Sequence, residues 1–351
     1  MNIRRFRKAI KRIFLLPKNK YLIKYLTNKV KHFYYKLTKS TKVAFPSTIM
    51  LELTNRCNLA CTTCPREYEY GQAMAQGDIS VNQAKKIIDE LWYNLDSIGL
   101  TGMGETFLYK EIEEIVDYIK SKNRGIIVSV STNAMLPKFI EKVKPLIGKV
   151  DTIQISIDGL NDVYEQIRVN AKFSRLVENL KQLKELSTGT STELMLNMVV
   201  TKENYFQMVD LVGFAENIGV KYMDFTKFNL ASVTKIDLSY YDFYNTDEFK
   251  FALQKLEEKT KQTQNVVVSY HSFYEKGAFH NCGFPFSHFY VCWNGLVAPC
   301  CAKPFPKEKN FGNVFESSVM QILNGQSFQQ WRKMWYKNKT PDFCKKCHIV
   351  E

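Results

Sequence analysis

The sequence predicts an α/β protein built on a parallel, covered sheet. From Pro46 onward, strand-like apolar stretches alternate with helical ones. Strands fall near 48–54, 96–101, 126–131, 151–157, 194–200 and 221–226, and helices near 80–92, 109–122, 136–147, 161–186 and 204–218. Six such units with short connections imply parallel neighbours joined by helices. Their right-handed crossovers curl the sheet into a barrel or a doubly wound layer. Ligands of such sheets sit at the carboxyl ends of the strands, so motifs at those ends belong together.

Bulk properties narrow the class. At 351 residues, 45% hydrophobic and 24% charged, the chain can bury one large core or two moderate ones. It holds no repeat and no apolar run near the ~20 residues that span a bilayer. The basic start has only Ile13-Phe14-Leu15-Leu16 as an apolar stretch, too short for a secretory signal, and no small-residue cleavage site follows. Nine cysteines in such a chain point to metal or redox use in a reducing cytoplasm. Of the 49 Lys and Arg, 14 lie in residues 1–45, which contain no acid. The rest of the chain is therefore balanced at 35 basic and 35 acidic residues.

That basic segment reads as two amphipathic helices. Ile3, Phe6, Ile10, Ile13 and Phe14 share one face before Pro17 ends the first. Leu22, Tyr25, Leu26, Val30, Phe33 and Leu37 mark the second, with lysines between. Three uses are open: packing on the main domain with a solvated basic face, lying in an anionic membrane interface, or binding RNA or an acidic partner. Nucleic acid is the least favoured of these partners. Residues 1–45 could thus hold a cytoplasmic protein on the inner membrane face.

The first strand, with Ile49, Leu51 and Leu53 in alternation, runs into Cys57, Cys61 and Cys64, a C-x3-C-x2-C loop. Three thiolates there can hold three irons of a four-iron cluster, which normally takes four cysteines. A zinc site or buried structural thiols are the plainer alternatives. The loop resembles that of the radical SAM enzymes, whose open iron binds the amino and carboxylate groups of S-adenosylmethionine (SAM). The resemblance implies reductive cleavage of SAM to methionine and a 5′-deoxyadenosyl radical, supplied with electrons by a reductant such as flavodoxin or ferredoxin. It also selects an open six-unit (β/α) partial barrel as the fold.

The later strand ends extend the resemblance. The second ends in Thr101-Gly102-Met103-Gly104-Glu105-Thr106, where the family carries a Gly-Gly-Glu-Pro stretch that binds the amino group of SAM. Met103 and Thr106 depart from that pattern, and Glu105 is the residue expected to accept from the ammonium. Otherwise the stretch is a turn before a helix. The third strand ends Ser131-Thr132-Asn133-Ala134, similar to the family's Thr-Asn-Gly, with Asn133 either lining the cofactor or capping a helix. The fourth carries Ser156-Ile157-Asp158-Gly159, whose Ser156 and Asp158 share one face because strand side chains alternate. In the family this stretch meets ribose and carboxylate, and Arg168 resembles the arginine paired with the carboxylate. Asn197 and Asn204, in LNMVVTKEN, also fit the family without a separate role. Thr63 stands where many members have an aromatic before the third cysteine, which leaves the adenine contact unassigned.

The other six cysteines fall in the last seventy residues. Cys282 and Cys300 frame Gly295 as C-x12-G-x4-C, and Cys344 and Cys347 form a C-x2-C pair. Four thiolates brought together suit zinc or a closed iron–sulfur cluster. The arrangement resembles a SPASM domain in its shortened "twitch" form, with one auxiliary four-iron cluster on Cys282, Cys300, Cys344 and Cys347. Gly295 marks a hairpin tip that returns Cys300 toward Cys282. Cys301 is expected to point away from the cluster, or to replace Cys300, and Cys292 to be a core thiol. Trp331 and Trp335 read as packing on a C-terminal helix.

The expected organisation is basic helices over 1–45, a barrel over 46–227, a connector over 228–279 and an auxiliary-cluster domain over 280–351. The expected activity is radical SAM oxidation, a two-electron dehydrogenation of a sugar, cyclitol or lipid-linked substrate. Maturation of a ribosomally made peptide is the alternative; the 45-residue basic segment is expected to be too short for a leader-gripping winged helix. A zinc-containing nucleic-acid-binding protein is the outsider. No catalytic acid or base is identified; Tyr290, His288 and His280 lie near the second cysteine frame without an assigned role.

Overall fold

The computed structural model describes residues 14–16, 20–274 and 277–350. Most of the first basic helix lies outside those residues.

The second basic run is helix α1 (Lys20–Leu37). Strand β1 (Thr48–Leu51) opens the barrel, and its partners follow with a helix before each. They are α2 (Val81–Leu91), β2 (Ser97–Leu100), α3 (Ile112–Lys122), β3 (Ile127–Thr132), α4 (Phe139–Val143) and β4 (Thr152–Ser156). After these come α5 (Asn161–Ile167), α6 (Phe173–Ser187), β5 (Glu193–Val200), α7 (Met208–Ile218) and β6 (Tyr222–Lys227). The chain then adds α8 (Asp247–Gln262), β7 (Val267–Ser269), β8 (His288–Val291), β9 (Val297–Ala298), α9 (Val319–Leu323) and α10 (Gln326–Tyr336). All strands but two short ones, treated with the site, lie in one nine-stranded open sheet ordered β9-β8-β1-β2-β3-β4-β5-β6-β7. Only β9 is antiparallel to its neighbour. The six-unit reading is borne out.

Side-chain chemistry sets the layers. Alternate strand residues are buried and apolar: Ile98 and Leu100, Val128 and Val130, Ile153 and Ile155, Leu194 to Val200, and Met223 and Phe225. Helix faces cover them; α2, for instance, buries Ala84, Ile87, Ile88 and Leu91. The opposite face differs from the covered sheet expected. Ser129, Ser131, Gln154, Ser156, Asn197, Asp224 and Thr226 are half-buried and line the hollow side. The period of two places them there together.

Helix starts follow local signals. Ser80 caps α2 and forms a capping box with Gln83, and Ser318 does the same for α9 with Gln321. The helix expected over 136–147 is shorter, because Pro145 has no N–H to donate and the chain tightens into a 3₁₀ turn over Lys144–Leu146.

The C-terminal region is not a separate layer. Strand β8 pairs in parallel with β1, His288 opposite Thr48 and Val291 opposite Leu51. The connector likewise supplies α8 and strand β7, which pairs with β6. Both cysteine groups are thus fixed to one sheet.

Candidate cofactor site at the strand ends

The cysteine loop after β1 is held from four strand ends. Its Ala60 and Cys61 pair antiparallel with Val169 and Arg168. Thr62 N donates to Ile167 O at 2.9 Å, and Glu105 N donates to Arg56 O at 2.8 Å. Arg66, two residues past Cys64, donates from Nη1 to Asn55 O (2.6 Å) and to Met103 O (3.3 Å). Asn133 Nδ2 lies 3.9 Å from Cys57 Sγ and 3.0 Å from Asn58 Oδ1.

Three half-buried thiols result, Cys57, Cys61 and Cys64; Cys57 and Cys64 raise the protonation tendency of Cys61, and Cys57 that of Cys64. Burial, the larger cause, pushes Cys61 up to about 12 and Cys64 to about 11. Such thiols hold their protons until a metal displaces them. Among the described residues no three His, Cys, Asp or Glu side chains are grouped as tightly as a single metal ion requires. Three sulfurs without a carboxylate donor suit iron or zinc by their softness. Their number suits a cluster with one open iron.

Arg168 is placed by a break that the sequence pattern hides. The helix expected over 161–186 stops at Ile167, forms the two-residue strand Arg168–Val169, and restarts at Phe173. Asn170 takes a left-handed φ of 73° to allow it. Arg168 Nη1 thereby stands 3.8 Å from Cys61 Sγ, and Nη2 stands 2.9 Å from Asp158 Oδ2. Burial opposes the guanidinium charge, but Asp158 and the Cys61 thiol more than offset it. Its buried Nε has no hydrogen-bond partner, a free donor beside the thiols for an anionic group.

The remaining expected contacts fall into two sets. Asn133 meets both readings: its amide faces Cys57, while its Oδ1 accepts from Met135 N at 2.8 Å. Ser156 lies on the hollow face. Asp158 does not share that face, because β4 ends at Ser156; it is buried, accepting from Val199 N at 2.8 Å and pairing with Arg168. Glu105 is also turned inward. Its carboxylate accepts from Thr132 Oγ1 (2.7 Å), Asn133 N (2.7 Å) and Phe107 N (3.2 Å), so protein donors already occupy three of its acceptor positions. Burial pushes its pKa up. Gly102 and Gly104 admit neighbouring protein: a Cβ would stand 2.3 Å from Glu52 Cγ at the first and 2.5 Å from Arg56 O at the second. These three residues brace the loop.

The second group gathers more sulfur than expected. Cys282, Cys300, Cys301, Cys344 and Cys347 act on one another electrostatically, and burial, the larger cause, pushes Cys282 and Cys301 each up to about 11. Cys301 is exposed, as a residue directed away from the set would be, although its thiol still interacts with Cys347 and Cys282. Gly295, at φ 80°, turns the hairpin between β8 and β9. Cys292 is buried, donating to Pro304 O at 3.4 Å. Trp335 Nε1 donates to Cys282 O at 2.7 Å. The connector contributes Asn229, whose Nδ2 is 3.6 Å from Cys347 Sγ, and Tyr241, which donates to Lys346 O at 2.9 Å. Buried Lys303, paired with Glu308, adds positive charge near Cys344 and Cys347.

Two further features escaped the sequence reading. Ser156, Asn197, Asp224 and Ser269 stand opposite one another on four adjacent strands, a polar row across the hollow face. The signal was present as polar residues at every second position of otherwise apolar strands. Glu52, buried just after β1, accepts from Met103 N (2.8 Å), Tyr290 Oη (2.9 Å) and Trp293 N (3.4 Å), tying barrel to C-terminal region. Its partners are remote in sequence, so no spacing revealed it.

An open parallel sheet with a three-thiol loop at its strand ends and a second thiol group on the same sheet is the arrangement expected of an iron–sulfur enzyme. Residues 51–215 match the radical SAM superfamily and residues 282–348 the iron–sulfur cluster-binding SPASM domain. The chain belongs to the radical SAM superfamily and carries a C-terminal SPASM domain. These two domains imply a four-iron cluster, an auxiliary cluster and SAM as its cofactors. It is 26% identical over 318 residues to the antilisterial bacteriocin subtilosin biosynthesis protein AlbA of Bacillus subtilis, covering 88% of this chain and 65% of AlbA. Over 183 residues it is 30% identical to the mycofactocin maturase MftC of Mycolicibacterium smegmatis, covering 50% of this chain and 43% of MftC. The chain thus spans under two thirds of both relatives. The crystal structure of Streptococcus suis SuiB bound to the precursor peptide SuiA shares the fold, with a TM-score of 0.66, 18% identity, and coverage of 93% of this chain and 74% of that one.

Proposed function

We propose that this enzyme modifies a peptide by removing hydrogen from an unactivated C–H bond. The observation that carries the radical reading is the three-thiol loop beside the free donor of Arg168, with a second thiol group on the same sheet. In this reading Cys57, Cys61 and Cys64 hold the SAM-binding cluster. Cys282, Cys344, Cys347 and Cys300 hold the auxiliary one, with Cys301 as the neighbouring thiol. The bound cluster and SAM supply a radical that can abstract hydrogen. Arg168, held by Asp158, meets the SAM carboxylate, while Asn133 and Ser156 line the same space. Glu105, Gly102 and Gly104 position the loop that faces the amino group. The polar row through Asn197 and Asp224 offers hydrogen-bonding partners for a substrate.

The substrate class rests on the relatives. AlbA is named for bacteriocin biosynthesis, MftC for maturation of mycofactocin, and SuiB is solved with a precursor peptide. The peptide alternative is therefore preferred to the sugar or cyclitol that the sequence placed first. For an oxidative outcome, an auxiliary cluster held by Cys282, Cys300, Cys344 and Cys347 on the same sheet would supply an electron acceptor within this chain.

Deuterium transfer tests both layers. The anaerobically reconstituted full chain is incubated with SAM, dithionite and either a deuterated peptide fraction or a deuterated sugar fraction from cells grown in heavy water. Deuterium in 5′-deoxyadenosine from the peptide fraction alone is the expected result. Transfer from the sugar fraction alone would reverse the substrate assignment. Absence of 5′-deoxyadenosine in both tubes would remove the radical mechanism.

A further inference from the structure

Helix α1 has two apolar faces, and only one is used by the protein. Tyr25 and Asn28 are buried, and Tyr21 packs on Trp92 with ring centroids 4.8 Å apart. Asn28 exchanges two hydrogen bonds with the backbone of Phe45 (2.9 and 3.1 Å), His32 Nε2 lies 2.8 Å from Phe45 O, and Lys29 pairs with Asp96 at 2.9 Å. This face fixes the helix to the barrel.

The opposite face is uncovered. Ile23, Val30, Phe33 and Leu37 are 66–71% exposed, and Leu26 and Tyr34 are at least half exposed. At 3.6 residues per turn these six side chains form one stripe about 100° wide. Lys20, Lys24 and Lys31 flank it on one side and Lys29 and Lys36 on the other. No acid occurs anywhere in residues 1–45. Just upstream, Phe14 and Leu15 are also exposed. Among the described residues no helix is long and apolar enough to cross a membrane.

We propose that α1 docks the enzyme on an anionic membrane surface, lying in the interface with its apolar stripe toward the acyl chains. The stripe is straight, runs the length of the helix, and the only charged side chains bordering it are lysines, of which Lys29 is already engaged by Asp96. Lysine stems can lie along apolar surface while their ammonium groups reach lipid phosphates. Such docking needs both terms, since a single amphipathic contact holds weakly and the cationic contribution falls with salt. A protein partner would need its own acids at matching positions on both sides of a five-turn stripe. A bilayer of anionic lipid presents them everywhere. The docked face leaves the anchored face, and hence the sheet, undisturbed.

The test is co-sedimentation of the full chain with vesicles of phosphatidylcholine alone or with about one third phosphatidylglycerol. The expected result is binding to the anionic vesicles only, at least tenfold reduced in 0.5 M salt. The double variant Val30→Ser, Phe33→Ser should also bind at least tenfold less, with unchanged melting temperature and unchanged SAM cleavage. A second variant, Lys31→Gln with Lys36→Gln, should reduce binding and flatten its salt dependence. Equal sedimentation of the wild type and the serine variant overturns the proposal, as does no vesicle binding by the wild type. A wild-type dimer that becomes monomeric in the serine variant without vesicle binding overturns it too, by assigning the stripe to a second copy.

Discussion

Cys61 and Cys344 separate the two thiol groups most cleanly. Cys61→Ala should abolish 5′-deoxyadenosine formation while iron remains in the C-terminal region. Cys344→Ala should retain measurable SAM cleavage and lose product, as read by iron per chain and mass spectrometry of the substrate. The Asp158–Arg168 pair makes a different prediction. Both side chains are largely buried at 2.9 Å, so Asp158→Asn leaves a guanidinium without its counter-charge. The loss should be about 3–5 kcal/mol, seen in urea unfolding, together with weaker SAM binding because the Arg168 fork is no longer held. Wild-type stability in that variant would mean that Arg168 finds another anion. The sequence placed Arg168 correctly near the cysteines only through family likeness. Its position depends on a helix break at Asn170 that propensity gives no reason to expect.

At the scale of elements, close backbone approach and helix ends decide most. Gly104 lets the β2 loop lie against residues 54–56, and Gly104→Ala would put a Cβ 2.5 Å from Arg56 O. The loop should shift, and iron should be lost from the first group while the second keeps its share. Ser80→Ala removes a capping box from α2 and should cost about 1 kcal/mol without altering SAM cleavage. Helix α1 carries a pH dependence. Burial lowers the pKa of His32 below 6.5, against the raising effect of its contact with Phe45 O. The unfolded chain therefore binds the extra proton first, so docking of α1 is complete above pH 6.5 and weakens as pH falls from 6.5 toward the lowered value. Proteolytic cleavage around residues 20–42 should rise over that interval and not above it.

For the molecule as a whole, the continuous sheet is the main consequence of folding. Strand β8 extends the barrel from β1, and Glu52 joins the loop after β2 to Tyr290 and Trp293. The two cluster regions should therefore unfold together. Anaerobic reconstitution should give about eight irons per chain if both groups hold four-iron clusters. About four irons with continued SAM cleavage would remove the auxiliary cluster and its acceptor role. Zinc in place of iron would contradict the cluster assignment at both sites.

The sequence by itself determined the alternation of strands and helices, both cysteine frames, and the amphipathic basic helix, although it placed Tyr25 on the face of Leu26 and Val30, whereas Tyr25 is buried on the opposite one. These depend on period, spacing and composition, which are local properties. It also carried the polar hollow face, in strand positions two apart. Tertiary structure alone decided which polar groups look toward the site. Glu105 and Asp158 read as ligand contacts, yet both are spent inside, because their donors lie on neighbouring strands or helices. Tertiary structure likewise brought Cys301 beside Cys282 and Cys347, and Glu52 beside Tyr290. Burial and pairing across the sheet are set by three-dimensional neighbours, and those neighbours can lie far apart in the chain, as Glu52 and Trp293 do at 241 residues.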